Sequence, residues 1–229
     1  MTKRCKYKFI DLFCGIGGFR LALEQTGAQC VFSSDIDAFA QQTYFDNFGE
    51  VPVGDITKVP VEDIPNFDIL TAGFPCQPFS YAGLCQGFED QTRGTLFFDV
   101  CRILAYHKPK MFFLENVKGL VSHNAGRTLK VILENLKGLG YDVHWKVLSS
   151  LDYGLPQKRE RWYCVGFDKK VDFSFPTPLV GKPILRDIVD LKDDNPSLKL
   201  TKFERDRIEY HFAHCHEAER VQHDNSKYA

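Results

Sequence analysis

The residues with the type and spacing to do chemistry fall into four groups. The first is a thiol. Cys76 lies in Gly73-Phe74-Pro75-Cys76-Gln77-Pro78-Phe79-Ser80, where two prolines remove backbone freedom and so fix the direction of the side chain. A thiol held in this way invites the question of what it attacks, although a free cysteine is more often a small buried hydrophobe. The octapeptide alone leaves both readings open. The second group is a glycine turn, Cys14-Gly15-Ile16-Gly17-Gly18, which lets a ligand come close to the main chain. Its spacing is not Gly-x-Gly-x-x-Gly, so it does not specify a dinucleotide. The third is a set of carboxylates, Asp35, Asp55 and Glu115, each closing a short apolar run. A carboxylate at the end of a second strand accepts both hydroxyls of a ribose, and its other common use is to cap a helix. Asp37 is better spaced for the cap and Asp35 for the ribose. The fourth group is Gln157-Lys158-Arg159-Glu160-Arg161, a local basic patch suited to a nucleic acid.

These residues need a frame, and the apolar pattern supplies one. Strands are expected at 8–13, 29–33, 67–72, 111–114, 142–148 and 161–167, each a short apolar run bounded by turn residues. Helices are expected at 19–25, 38–48, 96–105 and 127–136, the last with Leu129, Ile132, Leu133 and Leu136 on one face. Residues 51–56 read as a further short strand with Asp55 at its end. Strands alternating with helices give an α/β fold built on a doubly wound, mostly parallel sheet. Ligands of such sheets bind beyond the carboxyl ends of the strands. Gly15 to Gly18, Asp35, Asp55, Cys76 and Glu115 all fall on that one edge, and this concentration marks a site. Residues 80–94, with Cys85, Glu89 and Asp90, have little apolar periodicity and read as a long surface loop of the kind used as a lid.

The chain has 229 residues, 44% of them hydrophobic and 26% charged, with a net charge of −1. That is the profile of a globular protein long enough for a full core. The balance excludes a generally basic nucleic-acid binder, so any such contact is local. No apolar run approaches a membrane span, and residues 1–4 lead into a strand rather than an export signal, so the expected location is cytoplasmic. The cysteines are scattered at 5, 14, 30, 76, 85, 101, 164 and 215 with no Cys-x-x-Cys pair, and reduced thiols are expected. One domain is expected at 1–170, after which the texture changes. A proline-containing stretch at 171–183 and an acidic, polar one at 190–196 precede Thr201-Lys202-Phe203-Glu204, which has the form of a capping box opening a helix. His211, His214, Cys215 and His216 lack a second cluster and two-pair spacing, so no metal is expected.

Together these residues resemble the DNA cytosine-5 methyltransferases of bacterial restriction-modification systems. The resemblance rests on Phe9-Ile10-Asp11-Leu12-Phe13-Cys14-Gly15-Ile16-Gly17-Gly18, the octapeptide around Cys76, Glu115-Asn116-Val117 and the basic cluster ending at Arg161. These four motifs stand in the family's order and at its spacings across residues 8–167. It implies the fold of the S-adenosylmethionine-dependent methyltransferases, a domain at 1–170 that binds this cofactor, and methylation of cytosine at C5 in double-stranded DNA. In that chemistry Cys76 adds to C6 as a thiolate and enables C5 to attack. Glu115 gives or shares a proton at N3, Arg161 faces the developing negative charge, and Arg159 supports it or holds a phosphate. Phe13, Gly15, Gly17 and Gly18 would line the cofactor pocket. Asp35 would take the ribose with Ile36 beside it, Asp55 and Ile56 the adenine, while Pro75 and Leu96 would flank the adenosine. The target base must leave the duplex to reach Cys76, which suits a closing loop at 80–94.

The family continues past the end of this sequence with a target-recognition region and a returning segment that completes the cofactor pocket. Asn225-Ser226 stands too close to be that segment. The expectation is a catalytic part, with residues 171–229 leading toward a recognition domain carried on a second polypeptide. The alternatives are an RNA cytosine-5 methyltransferase, since the same pocket chemistry serves either substrate, and a truncated, non-catalytic remnant that binds a partner. Intact motifs argue against the remnant. Gly73-Phe74-Pro75-Cys76 resembles the bacterial DNA enzymes more than their tRNA-acting relatives.

Overall fold

The computed structural model describes residues 7–75, 96–181, 183–188 and 199–214. Cys76, Cys85, the expected lid at 80–94 and everything beyond 214 lie outside the described residues. The chain divides into two compact units, Met1–Ile184 and Leu185–Ala229.

In the first unit the apolar runs become β1 (Lys8–Leu12), β2 (Gln29–Ser34), β3 (Ile69–Ala72), β4 (Met111–Val117), β5 (Asp142–Ser149) and β6 (Glu160–Phe167). The helical patterns become α1 (Gly18–Gln25), α2 (Ala38–Phe48), α3 (Leu96–His107) and α4 (Arg127–Gly138). The strands form one sheet in the order β2-β1-β3-β4-β6-β5. β2, β1, β3 and β4 pair in parallel, as the alternation of strands and helices requires. β6 runs antiparallel to both β4 and β5. Apolar periodicity sets which face a residue occupies, not which way its strand runs, so this reversal was not readable from the sequence.

The central strands are buried on both faces, which is why β1 and β3 read as nearly continuous apolar runs. On one face Ile10, Leu12, Leu70, Ala72, Phe112, Leu114, Trp162 and Cys164 join a core with Phe97, Val100, Ile103 and Leu104 of α3 and with Ile132 and Leu136 of α4. Each fully buried leucine, isoleucine or phenylalanine among them contributes roughly 1.5–3 kcal/mol. On the other face Phe9, Ala28, Cys30 and Ile69 pack with Leu23 of α1, and Phe19 meets Phe113 edge-on at 5.1 Å. The glycine turn is thus clamped between a rigid strand and a helix.

Residues 51–56 depart from expectation. They hold a single parallel bridge, Ser34 to Val53, and Asp55 caps one 3-10 turn, Ile56–Lys58. Pro52 and Gly54 flank the bridge; one lacks a ladder donor and the other weakens a strand, so pairing does not propagate. In the second unit Thr201 and Glu204 form the expected capping box at the start of α5 (Lys202–His214). The Glu204 carboxylate accepts the Thr201 N–H at 2.7 Å, and the Thr201 hydroxyl accepts the Glu204 N–H at 3.3 Å. No helix among the described residues is long and apolar enough to cross a membrane.

Candidate active site at the carboxyl edge of the sheet

β1 delivers the chain into the glycine turn through Phe13, a left-handed residue with φ 53°. The Cys14 N–H donates to the Ser34 carbonyl at 3.0 Å and the Gly17 N–H to the Cys14 carbonyl at 2.9 Å, which closes the turn against β2. Gly17 has φ 92°, and a Cβ placed there would lie 2.1 Å from the Phe48 ring of α2. Backbone conformation and packing therefore both exclude a side chain. Gly15 and Gly18 differ: a Cβ at either would meet nothing within 4 Å, so the turn's outer side is open to a ligand.

Asp35 has a task the sequence did not reveal. One carboxylate oxygen accepts the Gly15 N–H at 2.7 Å and the other the Asp37 N–H at 2.9 Å, so it organises the turn. Each oxygen keeps a second lone pair for a ligand hydroxyl. Asp37 caps α2 through the Ala40 N–H at 2.8 Å. Ile36 and Phe39 are 76% and 87% exposed, an apolar surface beside the turn. Asp55 is engaged locally, accepting the Thr57 N–H and hydroxyl at 3.0 and 2.7 Å, bonds that hold its carboxyl below the usual range. The Ile56 side chain is buried and its carbonyl accepts from Arg102, so only its N–H is left for a ligand to address. Pro75 is exposed and Leu96, the first residue of α3, half-buried.

The second half of the site forms where β3 and β4 end and the antiparallel β6 begins. Register brings Val117 opposite Arg161, and the Arg161 Nε lies 2.9 Å from the Glu115 Oε1. The other Glu115 oxygen would be 3.6 Å from a Cβ at Gly73, which also faces the Phe13 carbonyl at 3.9 Å. The acid, the arginine, the cofactor-type turn and the main chain leading to Cys76 therefore share one neighbourhood. Burial pushes the Glu115 carboxyl up, opposed by Arg161 and Arg159. Arg159 is exposed, and Lys118 pairs with Glu160 at 2.9 Å.

Two further residues had no role in the sequence reading. Asn116 is buried, and its amide donates to the Phe74 carbonyl at 2.8 Å. Its signal was a polar residue in phase with the core positions Phe112 and Leu114, where a polar group must find partners. Asp11, in the middle of the buried strand β1, has one oxygen bonded to the Thr71 hydroxyl at 2.8 Å and the other without a partner. Burial raises its carboxyl to about 7, against an ordinary 3.8. Between those values the fold holds a proton that the unfolded chain releases, so its stability falls as pH rises from about 4 to about 7. Asp11→Asn is accordingly expected to stabilise the protein at pH 8 by on the order of 2 kcal/mol and to change little near pH 4. Unfolding curves at the two pH values check this, and equal effects at both would refute it.

The site can be set beside known proteins. A family model described as C-5 cytosine-specific DNA methylase matches residues 7–227. The chain belongs to that family. It is 59% identical over 173 residues to the type II methyltransferase M.NgoBI of Neisseria gonorrhoeae, covering 76% of this chain and 54% of that protein. It is 52% identical over 185 residues to the type II methyltransferase M.HhaI of Haemophilus parahaemolyticus, covering 80% of this chain and 56% of that one. The chain thus spans about half the length of these curated relatives. Among solved structures, a DNMT2 mutant from Spodoptera frugiperda superposes with a TM-score of 0.66 at 25% identity over 82% of this chain and 61% of that one. The cofactor of the family is S-adenosylmethionine.

Proposed function

We propose that this chain is the catalytic part of a DNA cytosine-5 methyltransferase, with residues 1–170 as the catalytic domain and 171–229 as an extension toward a recognition domain on a second polypeptide. The observation that carries the reading is the Glu115–Arg161 pair set against Gly73, three residues before Cys76. S-adenosylmethionine suits the turn: Gly15 and Gly18 leave room, Phe13 and Gly17 shape the loop, Asp35 keeps lone pairs for the ribose, Ile36 offers an apolar surface, and Asp55, Ile56, Pro75 and Leu96 complete the pocket. When bound it supplies an electrophilic methyl group on a sulfonium sulfur.

The protein's own residues do the rest. The target cytosine leaves the DNA stack, as chemistry on a base requires. The Cys76 thiolate adds to C6, and the displaced electrons move toward N3 and O2. Glu115 shares a proton with N3 while Arg161 stabilises the charge on that edge, with Arg159 beside it. C5, now electron-rich, would take the methyl group as its bond to the sulfonium sulfur breaks and leaves a neutral thioether, and C5 would then lose its proton to a base. The electron pair returns to the ring and expels Cys76 as a thiolate.

The test is transfer of a tritiated methyl group to duplex DNA, with and without the neighbouring gene product, followed by nucleoside analysis. Label in 5-methyldeoxycytidine is expected, strongest with the partner present. Label only in RNA or in adenine overturns the activity. Sequence-specific methylation by the 229 residues alone, at a turnover on the usual scale of about 1 s⁻¹ or more, overturns the need for a second polypeptide.

A further inference from the structure

The stretch leading from β3 to the thiol is held by a side chain that the chemistry above does not use. The paired register of β3 and β4 ends at Ala72 and Leu114, and Gly73, Phe74 and Pro75 then carry the chain toward Cys76. Three contacts hold this arm. The Gly73 N–H donates to the Leu12 carbonyl at 3.3 Å. The Phe74 ring is buried and meets the Phe97 ring of α3 with centroids 5.6 Å apart. The Phe74 carbonyl accepts the Asn116 Nδ2–H at 2.8 Å. Asn116 is only 2% exposed, and its Oδ1 accepts the Val117 N–H at 2.8 Å, so both ends of the amide are engaged. An unpaired amide at that depth costs about 1–3 kcal/mol, so these bonds determine its orientation.

We propose that Asn116 is the positioning residue for the nucleophile. By gripping the Phe74 carbonyl, two residues before Cys76, it sets the thiol arm in register with Glu115, its own neighbour in β4. This rests on the function proposed above. Successive strand residues point to opposite faces, so Glu115 presents its carboxyl toward the substrate while Asn116 reaches back to the arm. The arrangement answers a geometric demand. C6 and N3 are opposite corners of one six-membered ring, and the thiol and the acid must reach them together. The β3–β4 pairing stops at Ala72 and Leu114, and Pro75 has no N–H for a ladder bond, so strand pairing no longer supplies the registration and a side chain does. A misplacement of about 1 Å costs roughly 100-fold in rate.

Two variants test this in the full chain with any partner its activity requires. Asn116→Asp keeps the acceptor for Val117 and loses the donor to Phe74; Asn116→Leu keeps the branched shape and loses both. The expected result is a fall in kcat of about 100-fold with the cofactor dissociation constant within about threefold. Hydrogen exchange at 73–80 should rise by about tenfold or more while exchange in β1 and β4 stays as it was. A residue serving only the fold would speed exchange throughout and leave kcat per folded molecule unchanged. That pattern, or unaltered exchange at 73–80 in both variants, overturns the inference. If the parent chain transfers no methyl group at all, the proposed function falls, and the exchange comparison alone decides the role of Asn116. If Asn116→Asp fails to fold, Asn116→Leu, which buries no charge, carries the same test.

Discussion

Cys76→Ala is expected to abolish methyl transfer, and Cys14→Ala to leave most of it. The contrast follows from what a thiol needs in order to react. Only the thiolate adds to C6, so a competent cysteine must be able to lose its proton near neutral pH. Cys14 stands in the cofactor-type turn, close enough to the site to be a rival, but it is buried. Burial raises its thiol far above the ordinary range, and the carboxylates Asp11 and Asp35 add to the effect. Cys30 is pushed up to about 11, again chiefly by burial, and Cys164 is raised by burial alone. Cys101, on the buried face of α3, lies in the core. Cys85 lacks the flanking prolines that direct Cys76. Removing a nucleophile of this kind typically costs on the order of 10⁴-fold or more in kcat. The check is the tritiated-methyl assay with partner supplied, run on Cys76→Ala, Cys14→Ala and Cys85→Ala. Undiminished activity in the Cys76 variant would remove the covalent mechanism, whatever the other two show.

How much of this was legible in the sequence depended on how local the cause was. The Asp37 cap and the helix it opens, Ala38–Phe48, were readable because capping is decided within four residues. The capping box at Thr201 was readable for the same reason. The strand expected at 51–56 was misread because Asp55 follows a short apolar run whose Pro52 and Gly54 prevent a ladder. The second task of Asp35 depends on the Gly15 N–H, which only the parallel pairing of β1 and β2 brings near. The Glu115–Arg161 pair depends on the reversed strand β6, a matter of topology rather than periodicity. The sequence placed the chemistry on one edge of the sheet; which groups touch there was a tertiary fact.

That contact leads to the second large effect. Glu115→Gln and Arg161→Ala should each lower kcat by about 100-fold or more while leaving the cofactor dissociation constant nearly unchanged, because in the proposed mechanism both act on the edge of the base where charge develops. The two variants should differ in their pH dependence. Glu115 is raised by burial and held down by Arg161 and, less directly, by Arg159. In the parent protein the carboxyl therefore keeps its proton to higher pH than an ordinary glutamate. Activity that needs the protonated acid is present below the folded pKa and lost as pH rises through it. Arg161→Ala removes an opposing charge 2.9 Å from the carboxyl, so the acid keeps its proton to still higher pH. The alkaline limb of the rate profile should then move upward in pH even as the maximum falls. Glu115→Gln has no proton to lose at this position, so the limb set by Glu115 should vanish. Arg161→Lys should restore little, because a point charge does not reproduce the planar guanidinium beside the carboxylate. Rate profiles of the three variants and calorimetric cofactor titrations make the comparison. A variant whose main defect is a raised cofactor dissociation constant would place that residue in the cofactor pocket, and an acid limb, rather than an alkaline one, that moves upward in Arg161→Ala and vanishes in Glu115→Gln would show that the working form of Glu115 is the carboxylate.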